Sequence, residues 1–371
     1  MAAPEARNLE IEALRAVAIA LTLLQHVPLF FPSTGAPSWL RWIYEHLAFW
    51  SGVDLFFAIS GYVVAASLLR GFDSAASSGR TRWNEVKRFW VRRLFRLLPA
   101  AWFWLALVLV ATVTFNRTGV YGEWGANVKQ AWWILGYAYN WVAQPMAMSG
   151  INIAPLSVYW SLSLEEQFYL IVPLLLLISN RRVMAGILVL VIAVQFFVWR
   201  PAPLEEYWWT MRSDALAWGV LLAFVGPGHM AARFALNANL AWLANLALLA
   251  ALLVLPWGWF HVPVTAGVLA MVCASWVALA AFERGWVLPG CANLRSTRWF
   301  ASRSYALYLA HVPCYMFIKE ISLRMGIAGW DFVPWMILAG LGLACIAAEF
   351  SYRLIETPLR EAGRSIATRL V

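Results

Sequence analysis

Leu14-Arg15-Ala16-Val17-Ala18-Ile19-Ala20-Leu21-Thr22-Leu23-Leu24-Gln25-His26 is an apolar run with a guanidinium near one end and an imidazole at the other. The segment 11–32 that contains it is long enough to cross the ~30 Å hydrocarbon layer of a bilayer as a helix. Eleven positions are close to three helical turns, so Arg15 and His26 share a face and stand roughly 16 Å apart along the axis. Either side chain is costly in hydrocarbon, so each asks for a functional reason. The arginine suits an anion held at the cytoplasmic surface. The histidine suits proton chemistry at the far end of the same bound molecule.

The rest of the chain repeats this character. It has 371 residues, 62% hydrophobic and 13% charged, with a mean hydropathy of +0.67. That lies outside the range of soluble globular domains. Ten segments read as spans: 11–32, 47–69, 97–115, 156–178, 183–199, 208–226, 239–257, 262–282, 301–320 and 332–353. The expected fold is all-α, a polytopic transmembrane bundle of about ten spanning helices. An eleventh candidate, 127–145, carries Asn127, Lys129, Gln130, Asn140 and Gln144. Making it a span would put Arg181, Arg182 and the basic C-terminal segment outside, against the positive-inside rule. It therefore reads as an interfacial or re-entrant segment on the outer side, with both termini cytoplasmic. Segment 71–83, rich in Gly and Ser, reads as a flexible cytoplasmic loop.

The net charge of +9 is accounted for by arginines that hold cytoplasmic loops, and it does not call for nucleic acid. Cys273, Cys291, Cys314 and Cys345 are far apart and lack metal-ligand spacing, so they read as packing residues and no metal is expected. A glycine-rich phosphate loop, a His-Glu-x-x-His pair and a Gly-x-Ser-x-Gly elbow are absent, and Ser60-Gly61 reads as a close helix-packing spot.

Topology and helix rise place His26, Asp54, Glu165, Glu166 and His311 within a few ångströms of one depth, in the outer half of the membrane. Two histidines and three carboxylates there suggest an acid–base centre, in which a carboxylate orients His26 and stabilises its imidazolium. Glu165 and Glu166 point about 100° apart, so one of them faces His26. Arg88, Arg92 and Arg96 are spaced i, i+4, i+8 on one face, next to Arg93. Guanidinium forks there could clamp phosphates, or could anchor topology against anionic lipid.

Several of these stretches together resemble the acyltransferase family 3 membrane proteins. They are Arg15 with His26; Gly52-Val53-Asp54-Leu55-Phe56-Phe57-Ala58-Ile59-Ser60-Gly61-Tyr62; Arg92-Arg93-Leu94-Phe95-Arg96-Leu97-Leu98-Pro99; and Trp160-Ser161-Leu162-Ser163-Leu164-Glu165-Glu166-Gln167-Phe168-Tyr169. Ser304-Tyr305-Ala306-Leu307-Tyr308-Leu309-Ala310-His311 and Ile355-Glu356-Thr357-Pro358 complete the ordered set. The resemblance implies an O-acyltransferase of the bacterial inner membrane. Its donor would be a cytoplasmic acyl-CoA, usually acetyl-CoA. Its acceptor would be a hydroxyl of an envelope polysaccharide, a lipid-linked sugar or a glycosylated metabolite. It implies that Arg15 and His26 are the essential pair, and that Arg92, Arg93 and Arg96 contact the CoA phosphates. Taken with the depth argument, catalysis is expected at His26 with Glu165, Glu166 or Asp54, CoA binding at Arg15 as well, and acceptor contacts at His311, Trp160 and Tyr169. Some members carry a C-terminal extracytoplasmic hydrolase-like domain. The chain ends soon after Glu356, so residues 1–371 are expected to form a single membrane domain, with a separate extracytoplasmic partner as an option. The rival reading is a transporter or flippase for a lipid-linked saccharide with an intramembrane proton relay. Against it stand the lack of an inverted repeat and the charge asymmetry of the first helix.

Overall fold

A computed structural model describes residues 8–32, 34–77, 79–198, 200, 210–226, 236–258, 262, 264–327 and 329–370. Arg7, His229, Arg233, His261 and the first residues of the expected span at 208–226 lie outside them. Among the described residues the chain is helical, without a strand. Six helical stretches are long and apolar enough to cross a membrane, and the shorter Ser213–Val225 and Thr265–Ala281 are apolar as well. Each of the ten expected segments holds a helix, so the helical class is as read; the six long stretches are the spans that length and composition support.

Helix α1 (Leu9–Gln25) opens on Asn8, whose side chain accepts from the Glu10 and Ile11 amides at 2.9 and 3.0 Å. It ends seven residues short of the expected boundary, with His26 as its C-cap. Pro28 follows at the start of a 3₁₀ turn, Val27–Phe30, and cannot continue the helix. His26 thus sits at the C-terminal end of α1. A short amphipathic helix, α2 (Ser38–His46), leads to α3 (Ser51–Ser77). The expected loop at 71–83 is helical as far as Ser77, because Phe72 and Ala75 are buried and Phe72 packs with Val86 and Phe89.

Helix α4 (Arg82–Thr114) is capped by Thr81. Its 33 residues extend about 50 Å, well beyond a ~30 Å hydrocarbon layer. The arginine-rich first half therefore continues the spanning helix and is not a loop before it. The polar segment 127–145 forms two short helices, α5 (Trp124–Leu135) and α6 (Tyr139–Met148), broken at Gly136 and at Tyr137 with φ 55°. Asn127, Gln130, Asn140 and Gln144 all point inward and are buried, which explains a segment too polar to face lipid.

The remaining helices are α7 (Tyr159–Ile178), α8 (Arg181–Phe196), α9 (Ser213–Val225), α10 (Ala238–Gly258), α11 (Thr265–Ala281), α12 (Arg295–Ser302), α13 (Ser304–Arg324), α14 (Val333–Ser351) and α15 (Thr357–Arg369). α3 packs most closely on α9, where Gly61 and Gly219 let the backbones touch: a Cβ on either would collide with the opposite helix. The packing role expected for Gly61 is therefore seen. α14 passes through a π-helical turn, Tyr352–Glu356, into α15, which packs along α4. α1, α3, α7 and α13 surround the interior described next, and the hydrophobic core lies around them.

Candidate active site

Three adjoining cavities line up along α1. The first, of about 390 Å³, lies at its Arg15 end, walled by Glu12, Arg15, Arg70, Arg96, Glu283, Ser304, Tyr305, Glu356, Arg360 and Arg364 among others. Arginine outnumbers glutamate there, so the cavity is cationic. Arg15 is paired with Glu12 at 2.6 Å, whereas Arg96 makes no hydrogen bond among the described residues. The π-helical turn aims Glu356 into this space, and α15 delivers Arg360 and Arg364 one turn apart.

The second cavity is small, about 90 Å³, and shares Arg15, Arg96, Ser304 and Tyr305 with the first. Its other polar walls are Ser60, Arg93, Ser161, Glu165, Tyr169 and Tyr308. The Tyr169 hydroxyl lies 2.6 Å from Ser60 Oγ and donates to Glu165 at 3.1 Å. The Arg93 guanidinium covers the Tyr169 ring at 4.9 Å. Ser60 therefore faces this polar chamber, while its neighbour Gly61 makes the helix contact.

The third cavity, of about 560 Å³, is reached past Val53 and Tyr308, which wall both it and the second. Its size is that of a small-molecule site. His26, Trp50, Gln144, Trp160, Thr210 and Arg212 line it. The three together run the length of α1, from guanidinium to imidazole.

His26 is held by a second imidazole, not by a carboxylate. His311, with 0% of its surface exposed, sits behind it, its Nε2 3.1 Å from His26 Nδ1. The acceptors fix the tautomers. His311 Nδ1 lies 3.0 Å from the Leu307 carbonyl, which can only accept, so in the neutral ring Nε2 is bare. His26 Nδ1 lies 3.0 Å from the Thr22 carbonyl and so carries its hydrogen, shared between that oxygen and His311 Nε2. What remains is His26 Nε2, a lone pair without a hydrogen-bond partner among the described residues, on a residue that lines the third cavity. A proton accepted there leaves the Nδ1–H bonds in place, which is what a general base needs.

The single acid–base centre expected at one depth is thus divided. Asp54 does not reach His26; it is buried in an ion pair with Arg212 at 2.7 Å, and that guanidinium stacks over Trp50 at 4.4 Å. Strong pairing in a low-dielectric interior wins over a looser approach to the imidazole. Glu165 belongs to the middle cavity. Glu166, turned aside on α7, lines none of the three. Trp160 lines the His26 cavity, and Tyr169 lines the middle one. Arg96 and Arg93 reach the cavities, but Arg92 does not.

Sequence reasoning passed over Arg70, Gln144, Arg212, Tyr305, Tyr308, Arg360 and Arg364. A signal existed for some of them. Ser304, Tyr308 and His311 fall at i, i+4, i+7, a polar stripe on an otherwise apolar helix, and Arg360 and Arg364 fall at i, i+4 on an amphipathic one.

Residues 8–349 match the acyltransferase domain of acyltransferase family 3, and the chain belongs to that family. It is 30% identical over 353 residues to the YrhL protein of Bacillus subtilis (strain 168), covering 86% of this chain and 52% of that protein. It is 26% identical over 339 residues to O-acetyltransferase OatA of Staphylococcus aureus (strain NCTC 8325 / PS 47), covering 84% of this chain and 53% of the relative. Peptidoglycan O-acetyltransferase OatA of Listeria monocytogenes serovar 1/2a is 26% identical over 376 residues, 95% of this chain and 56% of the relative. The chain spans about half the length of these relatives. No solved structure matches it.

Proposed function

We propose that this membrane acyltransferase moves an acetyl group from cytoplasmic acetyl-CoA to a hydroxyl of a cell-envelope glycan, across the bacterial inner membrane. The observation that carries the reading is the row of three cavities along α1, cationic at one end and provided with a base at the other.

Each end fits its task. Arg15, Arg70, Arg96, Arg360 and Arg364 are suited to the phosphates of CoA, since guanidinium forks match phosphate oxygens. The narrow middle chamber suits a thin chain bearing a thioester, which supplies the activated acyl group. In the third cavity His26 Nε2 takes the proton of the acceptor hydroxyl as that oxygen attacks the acyl carbon. His311 Nε2 and the Thr22 carbonyl hold the charged ring through Nδ1–H. As the carbon–sulfur bond breaks, the sulfur takes the proton back from His26 Nε2, which restores the neutral base, and CoA leaves toward the Arg15 end as the thiol. Donor and acceptor enter from opposite sides, so the acyl group crosses while CoA stays inside.

The test uses detergent-purified wild type and His26→Ala with radiolabelled acetyl-CoA and glycan strands released from bacterial cell wall by an amidase. Label in the glycan with wild type, lost in the variant, supports the reading. Acetyl-CoA that neither binds nor yields free CoA in the presence of glycan refutes it.

A further inference from the structure

Gln144 is 1% exposed, lines the His26 cavity, and its buried Nε2 has no hydrogen-bond partner among the described residues. A buried amide of this kind costs stability unless something else meets it. The helix that carries it is held firmly. One turn earlier, the Asn140 carbonyl accepts from the Thr210 hydroxyl at 2.5 Å, and Asn140 Oδ1 accepts from Gln167 Nε2 at 2.8 Å. Gln167 also donates to the Tyr137 carbonyl at 2.6 Å. These bonds anchor α6 to α7 and to Thr210, and so fix where Gln144 stands. Ala143, Gln144 and Ala147 form the α6 face on the cavity, and Gln144 is its one polar member. The neighbouring buried amides Asn127 and Gln130 are matched by protein: Asn127 by Thr112 and Tyr121, Gln130 by Tyr139. Gln144 Nε2 and Asn140 Nδ2 are the buried amide nitrogens of this segment without a partner among the described residues, and of the two residues Gln144 is the one that lines the cavity.

We propose that Gln144 recognises the acceptor: its carboxamide binds a hydroxyl and the adjacent acetamido group on the incoming sugar beside His26, a role that rests on the acyl-transfer reading above. A carboxamide offers a donor and an acceptor side by side, which matches such a pair, one group accepting from Nε2 and the other donating to Oε1. Trp160 in the wall of the same cavity gives the apolar face of the ring a platform. The two amide bonds orient the sugar so that a further hydroxyl meets His26 Nε2, and no proton moves at Gln144.

The test compares wild type, Gln144→Leu and Gln144→Glu in detergent, with acetyl-CoA and amidase-released glycan strands each varied in turn. Gln144→Leu is expected to raise the half-saturating glycan concentration about tenfold or more, to leave that for acetyl-CoA within about twofold, and to melt at the wild-type temperature or higher. Gln144→Glu, which keeps the acceptor but loses the Nε2 donor, is expected to fall between the two. A Gln144→Leu enzyme with unchanged glycan saturation, an equal shift for acetyl-CoA, or a lowered melting temperature overturns the inference. Wild type that transfers nothing to the glycan overturns the underlying reading instead.

Discussion

His311 Nε2 stands 3.1 Å from His26 Nδ1 across 285 positions of sequence. The contact, with the Thr22 carbonyl, engages Nδ1 and leaves His26 Nε2 without a hydrogen-bond partner among the described residues, as the proposed base requires. It also replaces the carboxylate that usually performs this task with a neutral ring. An imidazole behind the base orients it without adding a buried negative charge, which would be costly where no cation balances it.

His26→Ala is expected to slow acetyl transfer by ~10²–10⁴, the usual contribution of a positioned base. His311→Leu should slow it less, because the Thr22 carbonyl keeps its bond to Nδ1. The double variant should be no slower than His26→Ala, since the two rings act as a unit. Initial rates of the three variants decide the matter, and additive losses would show that His311 acts elsewhere.

Val53 walls both the middle cavity and the His26 cavity. Val53→Trp should close the passage while leaving the arginine-lined end open. Transfer should fall by ~10²-fold or more, as misplacement of reacting groups does, with acetyl-CoA binding retained by calorimetry. Loss of binding along with transfer would mean that the donor is not held at the Arg15 end.

Arg96→Gln should raise the half-saturating acetyl-CoA concentration about tenfold or more, since hydrogen bonds to charged groups contribute roughly 1.5–3 kcal/mol. Arg92→Gln, which faces none of the three cavities, should have a smaller effect. Comparing saturation curves for the two variants checks which face of α4 meets the donor.

Asp54→Ala removes one partner of a buried pair and leaves the Arg212 charge without its carboxylate. A loss of roughly 3–5 kcal/mol is expected, read as a lowered melting temperature in detergent. Asp54→Leu combined with Arg212→Met should recover much of that stability, because an apolar pair of similar volume avoids the uncompensated charge.

Gly219→Ala should loosen the α3–α9 contact, since its Cβ collides with the Ala58 carbonyl and the Tyr62 amide. Overpacking of this kind costs ~1–3 kcal/mol. Gly125→Ala, where the added methyl meets nothing, is the control in the same melting assay.

The divided site shows where sequence reasoning loses its reach. Helix rise and topology gave His26, Asp54, Glu165 and His311 similar depths, but depth fixes only one coordinate. Azimuth and neighbours decide which groups meet, and those depend on packing. Arg212 captured Asp54 because a guanidinium from α9 arrives beside it. Arg88, Arg92 and Arg96 share a face by periodicity, yet only Arg96 of the three reaches the cavities, since α15 lies along α4 and covers part of that stripe. The early end of α1 was legible in Pro28, whose ring cannot follow a helical residue without cost.

What the sequence by itself determined is local. Apolar runs of spanning length determined an all-helical membrane protein, and the eleven-residue spacing put Arg15 and His26 on one face of one helix, because helical geometry is set within a few residues. The ordered motifs determined the family. Tertiary structure alone decided that His311 backs His26, that Gln144 brings an unmatched amide nitrogen to the same cavity, and that α15 brings arginines to the opposite end. Those relations join residues far apart in the chain, and only the packing of one helix surface against another brings them within bonding distance.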